Sequence, residues 1–206
     1  MQLSSELARE LLQIKAVQIN PTDYFTWTSG IQSPIYCDNR ITMSYPEVRT
    51  KIAAAFEERV SQMAIKLDVI AGCATAGIPH AAWLADRLNL PMVYVRSKPK
   101  AHGKGNQIEG GSVQGKNVVV IEDLISTGGS SLEAVEALRK AGAEVLEVMS
   151  IFSYGLSSSY DNFEKANISY QSLTNYDALL QALVEDGKLT NQEKSILLDW
   201  RNALES

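Results

Sequence analysis

Residues 118–131 read Val-Val-Val-Ile-Glu-Asp-Leu-Ile-Ser-Thr-Gly-Gly-Ser-Ser, an order of residue types able to bind a phosphorylated sugar. Val118 to Ile121 are apolar and β-branched, as in a parallel strand covered on both faces. Glu122 and Asp123 follow at the carboxyl end of that strand, where open α/β sheets take their ligands. Ser126, Thr127, Gly128, Gly129 and Ser130 then lead into a helical pattern marked by Leu132, Val135 and Leu138. Small residues leave backbone N–H groups unhindered, and a helix N-terminus attracts negative charge, so this turn suits one phosphate. The two acids would repel that phosphate. They suit ribose hydroxyls, or a magnesium ion held partly through water. Phosphate at the turn and a diol at the acids outline a ribose 5-phosphate. An ordinary strand–turn–helix with capping acids explains the turn, but not two adjacent acids followed by Thr-Gly-Gly-Ser.

Two further stretches have the same character. Residues 71–79, Ala-Gly-Cys-Ala-Thr-Ala-Gly-Ile-Pro, end a strand with small side chains and begin a helix. Backbone N–H groups at Thr75 and Ala76 can approach an anion closely there. Residues 96–111 are the most polar segment, with Arg96, Lys98, Lys100, His102 and Lys104 among glycines in an otherwise acidic chain. After a buried strand of a phosphate-binding sheet, such a segment reads as a lid. Its cations would neutralise negative charge that develops on a phosphorylated ligand, and its closure would exclude water. Residues 110–116 imitate a P-loop, but Asn117 stands where Ser or Thr is required and the segment precedes a strand. Tyr24, Phe25 and Trp27 read as strand packing, and His80 as structural.

The elements that must hold these segments follow from periodicity. Strands are predicted at 68–71, 92–95, 117–121 and 145–151, and helices at 78–88 and 130–141, with Gly142 as the C-terminal stop. This βαβ rhythm predicts an α/β fold: an open, mostly parallel sheet flanked by helices. Before it come a helix at 6–15, two short strands at 24–28 and 34–38 around a turn, and a helix opened by Pro46 and running to about Lys66. After it, helices are predicted at 157–166, 176–185 and 191–204, with a strand at 168–173. One domain over 1–206 is expected: a small N-terminal hood to about 45, an α/β core over about 46–173, and C-terminal helices over about 174–206.

With 45% hydrophobic and 21% charged residues, the 206-residue chain has globular proportions. A net charge of −5 argues against a nucleic-acid surface. No run approaches the ~18 apolar residues of a membrane helix, and the first residues do not form a signal peptide, so a cytoplasmic protein is expected. Cys37 and Cys73 read as reduced thiols. With His80 and His102 the only histidines, a divalent ion would rest on carboxylates and substrate oxygens, which points to magnesium.

The 118–131 segment resembles the motif by which type I phosphoribosyltransferases bind phosphoribosyl pyrophosphate (PRPP). Arg96-x-x-x-Lys100-x-His102-Gly103, followed by Ile108-Glu109-Gly110, resembles the catalytic loop of the orotate phosphoribosyltransferase family. Residues 25–30, 33–36 and 75–79 agree, so the resemblance covers about 3–152. It implies transfer of the phosphoribosyl group of PRPP to orotate, giving orotidine 5′-monophosphate and pyrophosphate in pyrimidine biosynthesis. It also implies magnesium and a homodimer with shared active sites. Arg96, Lys100 and His102, with Thr75 and Ala76, would contact the pyrophosphate, Lys100 being the main catalytic cation beside His102 and Asp123. Glu122 and Asp123 would take the ribose hydroxyls and share the Mg2+, which PRPP and water would mainly hold. Leu124, Ile125 and residues 126–130 would wrap the 5-phosphate, with Ser126 bordering orotate. Some members have lysines or arginines where this chain has Ser97, Thr28 and residues 153–156, which leaves Arg40 as a substitute cation for orotate. The rival readings are a purine or xanthine phosphoribosyltransferase, which the loop argues against, and a PRPP-sensing regulator, which would need a DNA-binding module.

Overall fold

Mostly apolar stretches make the central strands, and more polar ones make the edges. The computed structural model describes residues 2–26, 30, 32–98 and 107–204. Its elements are α1 (Gln2–Gln13), β1 (Val17–Ile19), β2 (Phe25–Thr26), β3 (Gln32–Ser33), β4 (Ile35–Cys37), a 3-10 turn (Asn39–Ser44) and α2 (Pro46–Ser61). Then come β5 (Val69–Cys73), α3 (Gly77–Leu88), β6 (Met92–Val95), β7 (Ile108–Glu109), β8 (Asn117–Ile125) and α4 (Gly129–Lys140). The chain continues through β9 (Glu144–Ser153), α5 (Ser157–Lys165), β10 (Tyr170–Asn175), α6 (Tyr176–Glu185) and α7 (Asn191–Ala203).

Six strands form one sheet in the order β10-β9-β8-β5-β6-β7, parallel except for the antiparallel edge β7. Alternation along each strand feeds two cores. Val119, Ile121, Met149 and Ile151 pack with Leu11 of α1, Phe56 of α2, Leu84 of α3 and Leu180 of α6. Val118, Val120 and Val148 face the other way, onto Val135 and Leu138 of α4 and Phe163 of α5. The expected doubly covered sheet is therefore present. No helix among the described residues is long and apolar enough to cross a membrane.

The N-terminal strands differ from expectation. β2 pairs with β3, whereas β4 pairs with β1, a strand the sequence reading did not predict. Pro34, which lacks an N–H, separates β3 from β4 and lets the chain change partners. α2 stops at Ser61, short of the predicted Lys66, and the apolar Ile65 that extended the pattern lies exposed. The strand expected at 168–173 starts two residues later, because Ile168 N–H still bonds back to Phe163 O at the end of α5. α1 packs against β10 and α6, where Ser4 Oγ donates to Thr174 Oγ1 at 3.2 Å.

Candidate active site

β8 outruns its neighbour. Its ladder with β5 ends at the Gly72–Ile121 pair, but its ladder with β9 continues to Ile125–Ser153. Glu122 and Asp123 thus lie inside the strand, where the sequence reading ended it at Ile121 with the apolar run. They are held by β9 on one side and free of β5 on the other. Asn39 of the 3-10 turn fills that free side: its Nδ2 donates to Asp123 O at 2.7 Å. Thr42 Oγ1 donates to Asn39 O at 2.6 Å and lies 3.4 Å from His80 Nε2, tying the acid strand to α3. His80 is buried and its pKa falls to about 4 through loss of hydration, so it is neutral and structural, as expected. The sequence reading missed Asn39. Its only local signal was a polar triplet, Asp38-Asn39-Arg40, following a strand.

Glu122 is turned inward. Its Oε1 accepts from Asp123 N–H at 3.0 Å, and its Oε2 accepts from Ser130 Oγ at 3.1 Å and Ser131 Oγ at 3.4 Å. It therefore binds the strand to the first turn of α4. Burial, and then the neighbouring Asp123 charge, push its carboxyl up to about 8. Burial raises half-buried Asp123 as well. Burial, reinforced by the acids, also holds both thiols protonated: Cys73 beside Glu122 and Cys37 beside Asp123, neither in a disulfide.

The turn after β8 is shaped for an anion. Gly128 has φ +84°, and a Cβ there would run into the Phe163 ring. No side chain caps α4, so its first N–H groups face outward. Asn162 Nδ2 holds the turn by donating to Thr127 O at 3.1 Å. Ser126, Thr127, Gly129 and Ser130 are exposed, while Leu124 and Ile125 point into the cores and can offer only backbone. The turn after β5 repeats the design. Its Ala74–Thr75 peptide is cis, Thr75 is exposed, and α3 also starts without a side-chain cap. Gly77 lets α3 approach β8 so closely that a Cβ would overlap Ile121 O.

Arg96 and Ser97 share a narrow crevice with Ala74 and Ser130, so the ends of β5 and β6 and the start of α4 meet. Lys100 and His102, with the neighbouring residues 99–106, lie outside the described residues. The segment read as one loop over 96–111 is shorter, since Ile108–Glu109 pairs with β6 as an edge strand. Arg96 N–H donates to Gln107 O and Gln107 Nε2 to Arg96 O, both at 2.9 Å, closing the base of the loop. Arg40 stands near Asp123, but Asp38 grips its Nε at 2.6 Å and its Nη2 at 2.8 Å.

Among the described residues no three His, Cys, Asp or Glu side chains gather as a metal site. The acid pair offers the hard oxygens magnesium prefers, but three donors already occupy Glu122. The donor set therefore fits an ion carried mainly on substrate oxygens and water, with Asp123 as the available carboxylate.

Comparison with known proteins agrees with this geometry. The phosphoribosyl transferase domain family matches residues 44–177. Orotate phosphoribosyltransferase of Oceanobacillus iheyensis is 63% identical over 202 residues, covering 98% of this chain and 100% of that protein. The Listeria innocua orotate phosphoribosyltransferase is 54% identical over 201 residues, covering 98% and 96%. Among solved structures, the Aeropyrum pernix orotate phosphoribosyltransferase superposes with a TM-score of 0.74 at 28% identity, covering 87% of this chain and 98% of that one. Leishmania donovani UMP synthase gives a TM-score of 0.79 at 29% identity, covering 97% of this chain and 42% of the longer protein. Likeness this high, sustained along almost the whole length, means that the chain belongs to the orotate phosphoribosyltransferase family.

Proposed function

We infer that this chain transfers the 5-phosphoribosyl group from PRPP to orotate, releasing pyrophosphate and orotidine 5′-monophosphate for pyrimidine biosynthesis. The observation that carries this is the overhang of β8, which puts Asp123 between two uncapped helix starts, those of α3 and α4. A substrate with phosphate at one end and pyrophosphate at the other suits an acid flanked by two such turns. The 5-phosphate takes the N–H groups and hydroxyls of 126–130. Asp123 accepts from the ribose hydroxyls, and Glu122 behind it keeps the phosphate turn in register with the strand. Pyrophosphate lies over Thr75 and Ala76, with Arg96, Lys100 and His102 completing its neutralisation.

The bond from the anomeric carbon to pyrophosphate oxygen breaks, and a ring nitrogen of orotate bonds to that carbon. The transition state carries positive charge on the ribose and growing negative charge on the leaving group. Asp123 would balance the first charge and the Lys100 cation the second, so the rate would come from positioning and electrostatics, without a protein nucleophile. Magnesium, held on PRPP oxygens and water with Asp123 in support, would add charge neutralisation for the pyrophosphate. The enzyme works as a two-fold dimer in which each loop serves the partner's site, so sedimentation should give the mass of two chains. Its two unpaired thiols suit a reducing cytoplasm.

The test is pyrophosphate release from PRPP with orotate, uracil, adenine and hypoxanthine offered singly. Orotate alone should support turnover. Release with a purine, and none with orotate, would overturn this reading.

A further inference from the structure

α7 closes one wall of a cavity beside the phosphate turn. A capping box starts the helix: Thr190 Oγ1 accepts from Glu193 N–H, and Glu193 Oε2 accepts from Thr190 N–H. Trp200 Nε1 donates to Gln32 O at 3.1 Å, tying α7 to the β2–β3 hairpin, and Tyr176 OH donates to Leu197 O at 3.2 Å. Between α7 and the ends of β8 and β9 remains a cavity of about 160 Å3. Ser126, Thr127, Tyr154 and Leu156 line one side, and Trp200 and Arg201 the other.

The size and lining define the occupant. Pockets for drug-sized ligands begin at about 300 Å3, so this one takes a single ring and not a nucleoside. Aromatic and aliphatic walls suit a flat ring, a hydroxyl at Ser126 suits a ring carbonyl or N–H, and a guanidinium suits a carboxylate. Arg201 is pre-set for that contact. Its side chain is only 15% exposed, its Nη1 donates to Asp177 Oδ2 at 2.6 Å, and its guanidinium lies over the Tyr176 ring, 5.8 Å from the centroid. Among the described residues Nε and Nη2 have no hydrogen-bond partner. Asp177 is 56% exposed, so water screens its charge and leaves Arg201 attractive to a second anion. Arg40 differs on each point, being gripped through both Nε and Nη2 and 62% exposed.

We propose that Arg201 binds the carboxylate of orotate, making α7 the element that selects the base. This rests on the phosphoribosyl transfer proposed above and adds the residue that distinguishes orotate from an uncharged pyrimidine. The cavity shares Ser126 with the phosphate turn, so a ring held there lies next to the ribose.

Kinetic constants for both substrates, with PRPP binding by calorimetry, test it in Arg201→Ala, Arg201→Lys and Asp177→Asn. Arg201→Ala should raise KM for orotate on the order of tenfold or more, as loss of a charged hydrogen bond does, and leave PRPP affinity within about twofold. Arg201→Lys should fall between it and wild type. Asp177→Asn breaks the same ion pair but keeps the cation, so its KM for orotate should stay near wild type. An unchanged KM for orotate in Arg201→Ala would refute the assignment. So would equal losses for both substrates, or an Asp177→Asn variant with the same defect, since those report structural damage. Wild type unable to use orotate would instead reject the transferase reading, before any variant is compared.

Discussion

Glu122 and Asp123 are adjacent on one strand, yet their surroundings differ: Glu122 accepts from the hydroxyls of Ser130 and Ser131 at the start of α4, whereas Asp123 is held by backbone N–H groups of its own strand and by Glu122. The pair's shared burial has a consequence for stability. A carboxyl with a raised pKa keeps its proton in the fold after the unfolded chain has released it, so stability falls as pH rises from about 4, the ordinary value, to about 8. His80 acts in the opposite sense between about 6.5 and 4, where acid charges the unfolded chain but not the buried imidazole. Above pH ~6.5 the acid pair therefore acts without that opposition. Ligand-free wild type should lose on the order of 1–2 kcal/mol between pH ~6.5 and ~8, and Glu122→Gln should lose clearly less. Urea titrations at the two pH values measure this, and equal slopes for the two proteins would contradict it. At this scale the sequence was readable where neighbours in the chain are also neighbours in space, as in 122–130. Asn39 was not, because its partner Asp123 lies 84 positions away. Arg201 was hidden for the same reason, since the cavity it lines is closed by a distant helix.

The elements that hold the site were legible in proportion to their burial. β8 announces itself by the unbroken β-branched run Val118–Ile121, β6 and β9 by mostly apolar stretches, and Gly77 and Gly129 start α3 and α4 next to the positions predicted. Strand ends were not legible, because the ladder of β8 with β9 continues through polar residues that no apolar pattern marks. Three-residue strands such as β1 carry too little pattern to read and exist through pairing with β4. The close crossing of α3 over β8 is equally tertiary, and Gly77 makes it possible. Gly77→Ala would set a methyl against the Ile121 carbonyl, a backbone atom unable to swing aside. It should destabilise the fold by about 1–3 kcal/mol and displace the pyrophosphate turn, raising KM for PRPP more than KM for orotate. Chemical denaturation with steady-state kinetics checks both parts, and a wild-type midpoint with unaltered KM values would show that the crossing is looser than described.

In the whole molecule, the sheet provides one strand end to which distant segments converge. The 3-10 turn reaches it through Asn39, α3 through His80 against Thr42 of that turn, α5 through Asn162, and α7 through the wall of the cavity at Ser126. Asp123 lies at that strand end, and the proposed function puts the ribose beside it, between the turns after β5 and β8. Asp123→Asn tests that arrangement most directly, because it removes the charge and keeps the shape. Turnover with PRPP and orotate should fall at least about a hundredfold, with the melting temperature equal to or above that of wild type, since a buried carboxylate is relieved. Near-normal turnover at an unchanged melting temperature would contradict the account and place the ribose elsewhere.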